Sequence, residues 1–334
     1  MSSEALPRAK SFEKVNYLLR PKKQIERKII IDLLRSVKEI HEYLYIGLGS
    51  IYYYDFILFH KYLNLTNMIS LDDEETKKRF EFNVPYDFIS FFNLKTTDYL
   101  KEHTFDSKLL IWFDYDSTLC SNKGFRNQSI FEDIEIITRQ AKSPTFFFLT
   151  VNIRPPSGKD KQDIFRSEFD TFLSDNFKSD RYTISNFLFF RDYPLMIQNA
   201  LLNFIEETGK LREIKFQKLF SFSYADTAPM YTLGGVYGTK PELASLKTAL
   251  RHNQFVNGNP RNIFDIDVPI LTYKEKIFMD AKIKSLKSRV SAAVGKKDMT
   301  DILASLEFEL ESPEMLRKYL RYGKYYPQYY EGII

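Results

Sequence analysis

Between Lys22 and Ile40 the apolar residues Ile25, Ile29, Ile30, Leu33, Leu34, Val37 and Ile40 recur three and four positions apart, the spacing of one helical face, and Pro21 stands where a helix-starting proline belongs. The period then shortens. Tyr43 to Gly47 is an unbroken apolar run that reads as a buried strand entering the glycine turn Gly47-Leu48-Gly49-Ser50, and Ile51 to Leu63 follows as a helix with an aromatic face. Met68 to Leu71 predicts a second short strand, ending in Asp72-Asp73-Glu74-Glu75, with a helical stretch from Glu75. Ile89 to Phe92 predicts a third strand, with a helix around Thr97 to Leu100, and Leu109 to Phe113 a fourth, ending on Asp114-Tyr115-Asp116. A helix over Ile130 to Ala141 and a strongly apolar strand over Thr145 to Val151 complete the series.

Strands alternating with helices indicate an α/β domain, doubly wound around a mostly parallel sheet. Beyond Asn152 the pattern changes: a loop over Arg154 to Lys159 and helical stretches over Lys161 to Asn176 and Pro194 to Glu207. Phe216 to Tyr224 and Met230 to Tyr237 follow, joined by Ala225-Asp226-Thr227-Ala228-Pro229, whose Asp and Pro favour a reversal. They read as an antiparallel hairpin closing the sheet. From Pro241 the chain is mainly helical again, apart from an extended stretch near Phe264 to Leu271. Three regions are therefore expected: an N-terminal helical region over 1–42, the α/β domain over 43–240, and a helical extension over 241–334.

With 334 residues, 44% of them hydrophobic, the chain can bury a substantial core. A net charge of +4 does not call for nucleic acid, and the single cysteine, Cys120, can form no internal disulfide, which points to a reducing compartment. The polar stretch from Met1 to Lys14 lacks the apolar core of a signal peptide, and no window has the length of a membrane span. A cytoplasmic protein is expected, with no membrane partner.

Candidate chemistry gathers at strand ends. The Gly-x-Gly of Gly47 and Gly49 is either a tight strand-to-helix turn or a place where a ligand approaches the backbone, because glycine lacks the Cβ that would hold it off. Asp72 and Asp73 can cap the next helix or accept the hydroxyl protons of a ribose diol. Asp114, Tyr115 and Asp116 form a turn, supply an acid or base, or bind a divalent metal. The basic cluster Arg20 to Lys28 reads as a solvated helix face, with phosphate contact as the alternative. The aromatic tail, Tyr319 to Tyr330, reads as packing rather than as a partner surface.

This order of βα units with a terminal hairpin resembles the class I S-adenosylmethionine-dependent methyltransferases over roughly residues 40–240. The resemblance implies S-adenosylmethionine as cofactor, held by Tyr45, Gly47, Gly49 and Ser50 after the first strand and by Asp72 and Asp73 after the second. It further implies that Asn93 and Asp98, after the third strand, edge the adenine, and that Asp114 and Asp116 face the methyl-transfer centre. Asp114 is thus expected both to contact the cofactor and, with Asp116, to orient or deprotonate the acceptor. Family members often carry an acid where this chain has Tyr45 and a small residue where it has Ile51. The cation-dependent O-methyltransferases also use an Asp-Asn pair after the fifth strand, of which only Asn152 is present, so no metal is expected. The implied activity is O- or N-methylation of an acceptor that no motif discloses. The alternatives are a methyltransferase-like binding or sensing component of a larger protein assembly, and a nucleic-acid-modifying enzyme docked through the N-terminal basic helix.

Overall fold

The computed structural model describes residues 20–73, 77–119, 128–154, 163, 167, 193–256, 259 and 262–327. In chain order the elements are α1 (Pro21–Leu34), β1 (Leu44–Leu48), α2 (Tyr54–Leu63), β2 (Met68–Leu71), α3 (Lys77–Phe82), β3 (Ile89–Phe92) and α4 (Thr96–Glu102). There follow β4 (Leu109–Thr118), α5 (Gln128–Gln140), β5 (Thr145–Asn152), α6 (Tyr193–Thr208), β6 (Lys215–Ala225), β7 (Pro229–Gly238), α7 (Lys240–Ala249) and β8 (Phe264–Asp265). The helices α8 (Tyr273–Ala281), α9 (Ile283–Ala292), α10 (Lys296–Ala304) and α11 (Pro313–Tyr322) end the series. The stretch Lys161 to Asn176 lies outside the described residues except for 163 and 167, which are helical, and Cys120, Glu74 and Glu75 lie outside them too.

The eight strands form one sheet in the order β3-β2-β1-β4-β5-β7-β6-β8. β1, β2, β3, β4 and β5 run parallel, and β7 joins β5 antiparallel, pairing Phe148 with Gly234 and Thr150 with Thr232. This is the doubly wound sheet with a closing hairpin that the periodicity predicts. The chain reverses its winding between β1 and β4, and in open α/β sheets ligands bind outside the carboxyl ends of the strands at such a switch point.

Alternation along the strands builds two cores. On one face Ile46, Ile111, Phe113, Phe147 and Leu149 meet Ile130, Ile134 and Ile137 of α5 and Met196, Ile197 and Leu201 of α6, all buried. On the other, Tyr45 makes edge contacts with Phe56 and Phe59 of α2, at 4.9 and 4.8 Å between ring centres, and Phe59 stacks on Trp112 at 6.0 Å. The Trp112 indole N–H donates to Thr150 Oγ1 at 3.0 Å, and the hydroxyls of Thr150 and Thr232 are bonded at 2.8 Å. The apolar face of this half therefore carries a buried polar chain across β4, β5 and β7.

Two helices are shorter than their periodicity predicts. α1 stops at Leu34 rather than Ile40, because the next turn tightens and Glu39 takes a left-handed conformation at φ 57°, although Val37 and Ile40 stay buried. α2 starts at Tyr54 rather than Ile51, because Tyr53 before it is left-handed at φ 46°. Residues 264–271 contribute only the two-residue β8 to the sheet.

The chain divides into two compact units. The sheet unit comprises Ile30–Ser223 and Thr227–Phe264; the other comprises Met1–Ile29, Tyr224–Asp226 and Asp265–Ile334. In the latter, the Asp226 carboxylate accepts from the backbone N–H groups of Lys22 and Lys23, at 3.3 and 3.1 Å, and so caps the start of α1. Lys22 Nζ pairs with Asp267 at 2.6 Å, and Lys318 bridges Asp265 and Asp267 at 3.0 and 2.8 Å. The reading of Arg20 to Lys28 as a solvated face is corrected here: Lys23, Gln24, Glu26 and Arg27 are all buried. Distant acids, invisible to a local charge count, hold this helix at its start: Asp226 on the Lys22 and Lys23 N–H groups and Asp267 on the Lys22 ammonium. Tyr319, Tyr322, Tyr325 and Tyr326 are buried, with hydroxyls of three of them bonded to Asp280, the Asp265 carbonyl and the Pro269 carbonyl. Tyr329 and Tyr330 lie outside the described residues.

Candidate functional site

The carboxyl ends of β1, β2 and β4 lie side by side, since Gly47 is in register with Ser70 on one flank and Trp112 on the other. Because partners in register share a face, Gly47, Ser70 and Trp112 face one way, and Asp114 follows two residues beyond Trp112 on that face. The turn after β1 is drawn onto β2 by the Gly49 N–H, which donates to the Leu71 carbonyl at 2.9 Å. Ser50 ends the turn by accepting the Tyr53 N–H at its carbonyl, 3.0 Å.

Both glycines sit against neighbouring side chains. A β-carbon on Gly47 would lie within 3.0 Å of the hydroxyl and ring tip of Tyr45, and one on Gly49 within 3.0 Å of Ser70 Oγ. Tyr45 itself is 1% exposed, so its hydroxyl reaches the turn from the core side. Ser70 is wholly buried and its hydroxyl makes no hydrogen bond, while the neighbouring Tyr53 hydroxyl donates to the Phe80 carbonyl at 3.1 Å. Burial pushes the Tyr53 phenol up to about 12. Ser70 and Tyr53 carry no motif, and a left-handed bulky residue such as Tyr53 leaves no trace in a hydrophobic pattern.

Asp72 is half-buried at the end of β2, with its N–H on the Phe92 carbonyl at 3.2 Å and its own carbonyl accepting from Asn93 Nδ2 at 2.9 Å. Asn93 thus ties the ends of β2 and β3 together. Asp73 is exposed beside Asp72, and Asp98 is exposed in the first turn of α4. Asp114 is half-buried and Asp116 exposed, both within β4, which runs on to Thr118 through an irregularity between Asp114 and Thr118. The structure therefore brings Gly47, Gly49, Ser50, Asp72, Asn93 and Asp114 to one sheet edge, with Asp73, Asp98 and Asp116 on the solvent side of it. Among the described residues, no three His, Cys, Asp or Glu side chains come together as a metal site.

A polar cluster away from the strand-end acids lies on the opposite face. The Asp133 carboxylate on α5 is 2% exposed and accepts from Thr97 Oγ1 at 2.6 Å and from the Tyr115 hydroxyl. Burial raises its carboxyl to about 6 despite both bonds, and burial likewise pushes the Tyr115 phenol well up. One sign was available: Asp133 interrupts the stripe of Ile130, Ile134 and Ile137 along α5.

The model of a protein family described as "Putative O-methyltransferase" matches residues 15–334. No curated protein matches the sequence. Among solved structures, Trm1 from Pyrococcus horikoshii with S-adenosyl-L-methionine is similar at 10% identity and a TM-score of 0.42, over 68% of this chain and 58% of that one. The N-methyltransferase NodS from Bradyrhizobium japonicum, in complex with S-adenosyl-L-homocysteine, is similar at 7% identity and a TM-score of 0.38, over 65% of this chain and 88% of that one. The chain thus spans less than two thirds of the length of Trm1.

Proposed function

The chain belongs to the O-methyltransferase family whose model it matches over residues 15–334, and on that premise we propose that it transfers a methyl group from S-adenosylmethionine to an oxygen or nitrogen of a substrate. The observation that supports this reading is the meeting of a half-buried carboxylate, Asp72, with the turn over residues 47–50 beside the switch point of the sheet. The residues present fit the cofactor: a carboxylate able to accept hydrogen bonds from both hydroxyls of a ribose, and a buried Ser70 hydroxyl with no partner beneath the turn.

When bound, S-adenosylmethionine supplies an electrophilic methyl group on a sulfonium. Asp72, with Asp73 beside it, holds the ribose; Gly47, Gly49 and Ser50 border the methionine end, and Tyr45 supports the turn from the core side. Asn93 and Asp98 edge the adenine. Asp114 stands toward the reacting centre, and Asp114 or the exposed Asp116 orients the acceptor and takes its proton, so that the enzyme contributes chiefly by placement. No helix of the described residues is long and apolar enough to cross a membrane. We place the protein in the cytoplasm, with its acceptor as the principal partner.

Calorimetric titration with S-adenosylhomocysteine tests the reading. Saturable binding by the wild type, weakened tenfold or more by joint Asp72→Ala and Asp73→Ala substitution, is expected; a wild type that binds neither the product nor S-adenosylmethionine overturns it. A second reading, a methyltransferase fold kept as a binding component, draws on the hydroxyl and ring tip of Tyr45 filling the room beside Gly47. It predicts a copurifying protein partner and no cofactor binding.

A further inference from the structure

Asp133 occupies a place where α5 would otherwise continue its apolar stripe, and a carboxylate there costs desolvation that an aliphatic side chain would not. Its two oxygens are both used. Oδ1 accepts a hydrogen bond from Thr97, in the first turn of α4 just beyond β3, and Oδ2 accepts one from Tyr115, near the carboxyl end of β4 between Asp114 and Asp116. Asn, whose amide has one acceptor oxygen, could not offer a separate oxygen to each hydroxyl, and no apolar residue serves either. Strand alternation sends Tyr115 to the face opposite Asp114 and Asp116, so whatever fixes the Tyr115 ring also fixes the backbone that carries those two acids.

We propose that Asp133 is a positioning residue that locks the β3–α4 edge of the crevice to its β4 edge, setting the distance between the adenine end of the bound cofactor and the centre of methyl transfer. This rests on the methyltransferase reading above. The groups around Asp133 fit a lock. From α4 come Thr97 and Lys101, from β4 Tyr115, and from its own helix Glu132; Lys101 and Glu132 pair with each other at 2.5 Å, so their opposite influences on Asp133 largely offset. Protonated, the carboxyl keeps acceptor capacity but brings a proton of its own, and one of the two hydroxyls must turn away or reverse its role.

The test is titration of S-adenosylhomocysteine into the wild type, Tyr115→Phe, Thr97→Val and Asp133→Asn at pH 7.5 and 5.5, with a thermal melt of each. Tyr115→Phe and Thr97→Val keep the shape of the side chain and remove one bond each. At pH 7.5 each variant is expected to bind roughly tenfold more weakly, as suits the loss of a charge-assisted hydrogen bond from a binding-competent geometry. Wild-type affinity should fall between pH 7.5 and 5.5, and that of Asp133→Asn should stay level, whatever the histidines contribute to both. A purely structural role would lower the melting temperature and leave the affinity of the folded protein unchanged. Variants that bind as the wild type does at both pH values overturn the proposal and leave the methyltransferase reading standing. A wild type that binds at neither pH overturns both.

Discussion

The Ser70 hydroxyl fills the space in which a side chain on Gly49 would begin: Oγ lies within 3.0 Å of that β-carbon position, while the Ser70 β-carbon is 3.7 Å from it. Gly49→Ala therefore forces Ser70 to rotate or the turn to lift, and a lower melting temperature is expected. Ser70→Ala removes a buried hydroxyl that makes no hydrogen bond, so it should be neutral or stabilising by up to about 1 kcal/mol. In the double variant the clash is gone, and most of the lost stability should return. Chemical denaturation of the four proteins measures the cycle. A double variant no more stable than Gly49→Ala would show that Ser70 is not what excludes a side chain.

The raised carboxyl of Asp133 sets a sign for acid stability. Its folded value is about 6, above the ordinary carboxylate value, so between about pH 4 and 6 the folded state holds a proton that the unfolded chain releases. Its contribution is thus most favourable below about pH 4, declines as pH rises through about 6, and is flat beyond. Comparing wild type with Asp133→Asn by denaturation at successive pH values should reveal a difference that changes by roughly 2–3 kcal/mol over that window and then levels. A constant difference would rule out a raised carboxyl at this position.

Asp226 caps α1 through two backbone N–H groups, and both partners lie in one compact unit. Asp226→Ala should cost about 1–2 kcal/mol of stability, measured by urea unfolding, and Asp226→Asn less, since an amide oxygen still accepts at a helix N-terminus. Equal losses in the two variants would place the effect in the charge rather than the cap.

Thr150 joins Trp112 to Thr232, accepting from the indole and sharing a proton with the second hydroxyl. Thr150→Val has nearly the same shape and removes both bonds, so a loss of about 1–3 kcal/mol is expected in a denaturant melt. Thr150→Ser, which retains the hydroxyl, should lose less. A neutral valine variant would mean that the chain of hydroxyls contributes nothing to stability.

Much of the fold is legible in the sequence. The strands over Met68 to Leu71 and Ile89 to Phe92 coincide with their predicted bounds, and the hairpin around Asp226 falls where its turn residues stand. These elements are local: an apolar run of strand length bounded by turn formers has few other ways to bury itself. The glycine turn and the acids after β2 and β4 could be placed at one sheet edge for the same reason, because alternation of strand and helix dictates which strand ends face a common side.

What reaches across the chain was not legible. The burial of Lys23, Glu26 and Arg27 depends on the enclosure of a helix whose start is held by Asp226 and Asp267, far along the sequence. The left-handed Tyr53 that delays α2 depends on the turn before it and on a hydroxyl bond to α3. Asp133 has its meaning only from Thr97 and Tyr115, 36 and 18 residues away. Periodicity along the chain is enough to decide which residues turn inward, because burial of apolar surface is non-directional and tolerant of detail. Which inward-facing polar groups find one another is a matter of ångström distances and angles, and hydrogen bonds of that kind exist only once the sheet has set its neighbours side by side.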